Sequence, residues 1–282
     1  MKWNIVFDST VDIFEGFDEY IDNNNEIRFE TIPLKLIVGE KQFVDDGSID
    51  IDELLKSMKA EKKASHSSCP SPEAFANSFR QSEYNLCFTM SSAISGTYQS
   101  ALIAKQMVEE ENPNAKILLI DTKATSGVLL LMGKKAAQLI KKGLEFDKIC
   151  VELEKHVKSL ELTFSLADFD TFIKTGRVKP FVGAIASKIG IRAIAIKTAE
   201  GKIDVAEKAR GEQRNIQKIL SIMEKTKDLT NSTVVISHCK NAVAAVKIQE
   251  KLIENGVKEV LICACKGVSS FYAQEKGIII SY

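Results

Sequence analysis

The 282-residue sequence predicts an α/β fold, with a parallel α/β sandwich in its N-terminal part and a C-terminal α/β unit built on a mixed sheet. Two observations carry that expectation. Up to about residue 160, short apolar runs alternate with segments of helical period, the rhythm of a parallel sheet covered on both faces. Beyond it, IRAIAIKT-AEG-KIDVAEKA alternates around a short glycine-containing turn, which reads as a hairpin and brings in antiparallel pairing. The expected organisation is therefore two α/β domains, 1–160 and 161–282, forming a single unit over residues 3–281.

Taken in order, WNIVF followed by DST reads as a buried strand entering a polar loop. IPLKLIVG (Ile32 to Gly39) is a second strand, QFV a short third piece, and DDGSID an acidic turn. IDELLKSMKA has helical period, with Asp50 or Ser48 placed to cap it. SHSSCPSP is a loop, and Pro72 suits the first turn of the helix PEAFANSFRQS. NLCFTM is a strand, GTYQSALIAKQMVEEE a helix and KILLID a strand. TSGVLLLMGKKAAQLIKKG is a helix stopped by Gly143, and FDKICVELEKHVKSL is another. After ELTFSLA, GRVKPFVGAIASKIG reads as a helix with basic flanks. The hairpin, a polar helix from about Arg210 to Lys227, the strand TVVISH, a helix to Gly256 and the strands EVLICAC and GIIISY complete the chain.

Composition narrows the function classes. Thirty-eight basic side chains balance 38 acidic ones, which argues against a protein devoted to neutralising nucleic-acid phosphates. The six cysteines are scattered, with no C-x-x-C pair, and read as reduced thiols packed in a cytoplasmic protein. Cys263 and Cys265 share a strand face without visible metal partners, so no metal site is expected. Asp8 interrupts WNIVF before an apolar leader can form, so no signal peptide is expected. GVLLLMG is far short of the roughly 20 apolar residues that span a bilayer, so no stable membrane insertion is expected.

Hydroxyls mark the candidate site. Ligands of open α/β sheets sit beyond the carboxyl ends of the parallel strands. Small polar residues collect there: Asp8 and Ser9 in DST, Ser67 and Ser68 in SHSSC, and Ser95 in SSAISGT. The last loop runs straight into a helix, whose first N–H groups at Gly96 and Thr97 favour a carboxylate or phosphate. Asp8, which would repel an anion, is expected to bond backbone N–H groups or a hydroxyl and shape the loop. Ser95 could instead be only a helix cap. It could also be a nucleophile with His238 as base, the reading of a serine hydrolase or acyl transferase, although no G-x-S-x-G elbow is present. Nor is there a Walker loop or G-x-G-x-x-G to mark a nucleotide cofactor.

FDST, IPLKLIV with DDG, SSCPSP, SSAISGTYQSA, KTGRV and EKAR follow one another as in the DegV family, which the chain resembles over nearly its whole length. The resemblance implies a fatty-acid-binding protein, not itself an enzyme and needing no cofactor, that holds a long-chain fatty acid between two α/β domains. It further implies a role in phospholipid metabolism, with the carboxyl group presented to a separate fatty-acid kinase subunit. The family's carboxylate-contacting threonine falls on Ser67 and its serine on Ser95, while the arginine of its partner-facing element falls on Arg177. Tyr272 stands where the family commonly has a histidine. A third reading is an interaction module that docks a partner through the basic surface of Arg177, Lys179 and Lys188.

Overall fold

The computed structural model describes residues 2–21, 26–61, 63–178 and 190–282. WNIVFD forms strand β1 (Trp3–Asp8), buried at every position after Trp3 because helices cover both faces of its sheet. It is flanked in parallel by β2 (Ile27–Ile32) and β6 (Tyr84–Thr89), and β7 (Lys116–Asp121) completes an all-parallel sheet in the order β2-β1-β6-β7.

The predicted strand from Ile32 to Gly39 is two strands. Proline at 33 offers no N–H to a ladder, so β2 ends at Ile32. The chain then enters a separate antiparallel sheet through β3 (Lys35–Val38) and β4 (Lys41–Val44). The third strand of that small sheet is β5 (His66–Ser68), which the sequence suggested was loop. Asp50 caps α2 (Ile51–Ala60) through the N–H groups of Asp52 and Glu53, and Pro72 opens α3 (Pro72–Phe79).

The second sheet is mixed, in the order β10-β9-β8-β13-β11-β12. Its strands are β8 (Leu162–Leu166), the hairpin β9 (Ile191–Lys197) and β10 (Ile203–Arg210), β11 (Thr233–His238), β12 (Glu259–Ala264) and β13 (Ile278–Ser281). Only β11 and β12 run parallel; the other pairs are antiparallel. The expected basic helix near 176–190 lies mostly outside the described residues, and its described start, Arg177 and Val178, is a bend.

What joins the sheets is α5 (Gly127–Lys141). Apolar residues cover most of its surface, so that eleven of its residues are buried and only Lys134, Lys135, Gln138 and Lys141 reach toward solvent. It packs against β1 and β6 on one side and β11 and β13 on the other. At Gly127 an added Cβ would lie 2.7 Å from Val235 of β11, and at Gly133 it would lie 2.4 Å from the Phe7 ring of β1. Together with α6 (Phe146–Ser159), this helix fills the space between the sheets. On the outer faces, α3 and α4 (Thr97–Glu111) cover the first sheet. Helices α8 (Glu212–Thr226) and α9 (Ala242–Glu254) cover the second.

Three short helices were not expected: α1 (Phe17–Ile21), α7 (Asp170–Lys174) and α10 (Gly267–Ala273). GVSSFYA in α10 has no amphipathic period because almost all of it is buried. Its serines are satisfied locally, Ser269 donating to the Thr10 carbonyl and Ser270 to the Cys265 carbonyl. The helix packs on α2 and on the small sheet through Val268 and Phe271. Cys263 and Cys265 are buried free thiols, and burial pushes Cys263 up to about 12. Among the described residues, no helix is long and apolar enough to cross a membrane.

Candidate functional site

The carboxyl ends of β1, β6 and β7 point to one end of the molecule, where the loops after them meet α10 and the inner face of the second sheet. Asp8 ties two of the loops together. Its Oδ1 accepts from the Thr10 N–H (3.0 Å) and hydroxyl (2.6 Å), and Oδ2 accepts from the Met90 N–H (2.6 Å). This is the loop-shaping role that its charge required. Burial raises its pKa, and those hydrogen bonds oppose the rise. Ser9 is likewise structural, accepting from the Leu34 N–H (3.0 Å) where the chain leaves the parallel sheet.

Two further carboxylates fix α10. Asp45 accepts from the N–H groups of Gly267 and Val268, both at 2.9 Å. Asp12 accepts from the Lys266 N–H (2.9 Å) and from the Ser126 hydroxyl. These occupy orphan donors at the start of the helix. Burial pushes Asp45 up to about 6, with the charge of Asp12 adding to the rise and the bonds from Val268, Ser9 and Gly267 opposing it. A carboxyl whose folded pKa lies above its unfolded value of 3.8 binds more protons folded than unfolded between those values. Its contribution to stability is therefore greatest below about pH 4 and is lost as the pH rises through about 6. We expect the stability of the native protein to fall by on the order of 2–3 kcal/mol relative to Asp45→Asn between those limits. Urea denaturation of both proteins at several pH values measures this, and a constant difference would contradict it.

Between these loops and the second sheet lies a narrow, partly enclosed cavity. Its walls are chiefly apolar. The inner face of β8 supplies Leu162, Phe164 and Leu166, joined by Phe172, Met90 and Ile279. Phe164, Phe169 and Phe172 form a ring cluster, and the Phe172 ring lies 4.8 Å from that of Tyr272. The signal for this wall is in the sequence. LTFSL alternates apolar and hydroxyl residues, and Thr163 and Ser165 turn away to bond Tyr282 and Asn215.

Of the residues singled out from the sequence, Ser67, Ser95, Arg177 and Tyr272 line the cavity. Ser67 sits in the middle of β5, so its side chain turns inward while those of His66 and Ser68 turn out. Its Oγ shares a hydrogen bond with the Tyr272 hydroxyl at 2.9 Å. Ser95 Oγ lies 2.9 Å from Thr97 Oγ1 and accepts from the Thr97 N–H at 3.3 Å. The serine thus precedes the N-cap, lines the cavity and holds the Thr97 N–H, so the donor expected to face an anion is already engaged. Thr97 is buried, Gly96 is the exposed N-cap of α4, and neither lines the cavity. Ser68 is exposed, with its hydroxyl directed to the Cys69 carbonyl at 3.5 Å.

Arg177 is closer to the site than a partner-facing role implies. Its guanidinium donates to the carbonyls of Ile94 (3.3 Å) and Thr175 (2.7 Å) and has no carboxylate partner among the described residues. It therefore brings a positive charge to the wall next to Ser95. The hairpin tip closes that side, where the Ser91 hydroxyl donates to the Gly201 carbonyl at 2.8 Å. Lys179 and Lys188 lie outside the described residues. His238 ends β11 but does not line the cavity; its Nδ1 accepts from the Asn241 N–H (3.3 Å) and burial lowers its pKa. Ser95 therefore has a threonine, not a histidine, as its hydroxyl partner, and the described residues provide no base to make it a nucleophile. Among them, no group of three or more His, Cys, Asp or Glu side chains is placed to hold a metal ion.

An α/β protein with a chiefly apolar cavity, lined at one side by hydroxyls and a guanidinium with no carboxylate partner among the described residues, has the build of a receptor for an amphipathic anion. Comparison with known proteins agrees with that class. The profile described as "Uncharacterised protein, DegV family" matches residues 2–282, and the chain belongs to the DegV family. It is 32% identical to a DegV domain-containing protein of Streptococcus pyogenes serotype M1, with 100% of this chain and 99% of the relative covered. Among solved structures it is similar to the Streptococcus pneumoniae fatty acid kinase (Fak) B3 protein loaded with linoleic acid. The TM-score is 0.94 at 28% identity, covering 100% of this chain and 99% of that one. A DegV family protein from Eubacterium eligens loaded with heptadecanoic acid gives a TM-score of 0.92 at 27% identity, with 99% and 98% covered.

Proposed function

We propose that this protein binds a long-chain fatty acid, with the carboxylate near Ser67, Ser95 and Tyr272 and the tail along the wall of Phe164, Leu166 and Phe172. The observation that carries the reading is the apolar cavity meeting the Ser67–Tyr272 hydroxyl pair. The loaded relatives from Streptococcus pneumoniae and Eubacterium eligens support it. A tail of about 14 to 16 methylenes, at roughly 0.8 kcal/mol each, offers on the order of 11–13 kcal/mol of gross burial. Each hydrogen bond to the carboxylate adds roughly 1.5–3 kcal/mol before desolvation. The tail sets affinity, and the hydroxyls, with the charge of Arg177, set which end faces out.

The protein then serves as a non-catalytic carrier in the cytoplasm, handing the carboxylate to a separate kinase subunit. Its likeness to the fatty acid kinase B3 protein favours that role. Tyr272, where the family commonly has a histidine, keeps a polar group at the carboxylate.

The test is lipid analysis of the purified protein by native mass spectrometry, with binding titrations of Ser95→Ala and Tyr272→Phe. A bound fatty acid is expected, with each substitution weakening affinity about tenfold or more; the melting temperature should be nearly unchanged, lowered at most slightly by Ser95→Ala, which removes the acceptor of the Thr97 N–H. A protein that neither carries nor takes up oleate would defeat the proposal.

A further inference from the structure

At the Thr233 end of β11, a second and wider cleft opens between α5, α6 and the second sheet, and it shares no lining residue with the first. Five basic side chains line it: Lys134 and Lys135 from α5, His156 from α6, Lys227 after α8, and Lys258 just ahead of β12. Glu259 is the one acidic side chain in the lining. Its charge is already spent on Lys134, with Tyr20 and Thr233 donating hydroxyls to it. Lys135 and Lys258 have no carboxylate within ion-pair reach among the described residues. Lys227 donates to the Ser159 carbonyl (3.1 Å), lies over the Tyr282 ring (5.8 Å) and feels the charge of Glu161 without an ion-pair contact.

In a chain whose basic and acidic residues balance at 38 each, this is a local excess of positive charge, and it is not that of a solvated surface run. Lys134, Lys135, His156 and Lys227 are all half-buried, and Lys258 is exposed. Holding like charges together out of water is unfavourable unless something of opposite sign completes the group. The imidazole registers the field: burial, with the charges of Lys135 and Lys227, pushes His156 down to about 4. Helix ends account for part of the arrangement, since His156 and Lys227 stand at the carbonyl ends of α6 and α8, where cations are favoured. They do not account for Lys135, in mid-helix, or for Lys258, before a strand. The hydroxyls and amides of Ser159, Ser232, Asn231 and Gln138 add neutral hydrogen-bonding groups to the same walls.

We propose that this cleft binds a small soluble anion carrying phosphate and at least two negative charges, at a site separate from the acyl cavity. Ammonium groups bind phosphate as point charges without demanding one orientation, which suits a di- or polyphosphate. The assignment is independent of the fatty-acid reading.

The probe is inorganic pyrophosphate at millimolar concentration and constant ionic strength, read by calorimetry and by the imidazole signals of the three histidines. Saturable binding is expected, with His156 beginning to protonate about one pH unit higher than in the free protein as the anion offsets the lysines. The double variant Lys135→Gln, Lys258→Gln removes two side chains that bond nothing in the fold. It is expected to bind pyrophosphate at least tenfold more weakly and to take up oleate normally. The proposal is overturned by the absence of saturable binding, by equal binding to the double variant, or by a His156 shift with phosphatidic acid vesicles but not with pyrophosphate.

Discussion

Leu166→Trp is expected to abolish fatty-acid binding while leaving the protein folded. Leu166 is 1% exposed on the inner face of β8, where it lines the acyl cavity beside Phe164 and Phe172. An indole there would point along the cavity wall that Leu166 lines, and a strand accommodates a tryptophan without backbone cost. The tail would lose that space. Forfeiting even half of its contact removes on the order of 5 kcal/mol, more than about a thousandfold in affinity. Oleate titration and native mass spectrometry measure the loss, while thermal unfolding should show a melting temperature unchanged or slightly raised. Unchanged affinity would mean that the tail runs elsewhere, and the assignment of the β8 wall would fall.

The largest effect on stability is expected at Gly127, where α5 touches the second sheet. By helix propensity alone, alanine should be better than glycine by up to about 1 kcal/mol. The geometry opposes this. The new Cβ would stand 2.7 Å from Val235 and 2.9 Å from the Ser281 hydroxyl, both on strands locked in the centre of the second sheet. Overpacking of this kind costs about 1–3 kcal/mol, so Gly127→Ala should lower the melting temperature by several degrees. Gly127→Val, with two more methyl groups, should leave little soluble protein. An alanine variant as stable as the native protein would show that helix and sheet can move apart, contrary to the packing described.

The residues of the parallel half were easy to read because each β-α unit there is local. WNIVF, NLCFTM and KILLID are apolar runs bounded by polar turns, and Asp50 and Pro72 act within one turn of their own residues. What escaped was built across the chain. Helix α10 depends on Asp45, 222 residues earlier, and such a cap has no spacing to search for. The site divides the same way. Ser95 could be reasoned from the end of a parallel strand, but Ser67 reaches the cavity from the middle of an antiparallel strand that reads as loop, and the alternation of LTFSL offered a further wall. The place of Arg177 beside Ser95, and the contact between Ser67 and Tyr272, arise only when loops from both sheets close on one space. The basic cleft was invisible for a related reason: its lysines lie up to about 120 residues apart and none belongs to a charge run.

The central position of α5 bears on how the molecule is made. On the ribosome, residues 127–141 emerge with their own parallel sheet, yet the partners of their other side, β11 and β13, lie at 233–238 and 278–281. Strand β13 enters the middle of the second sheet, between β8 and β11. Until synthesis passes residue 281, the nascent chain therefore carries an apolar helix covered on one side only and a gap in a sheet, the kind of surface that chaperones hold. Strand β13 fills the gap in the sheet and completes the cover that β11 begins over α5, so a product truncated before it would be a sticky intermediate and not a smaller working protein.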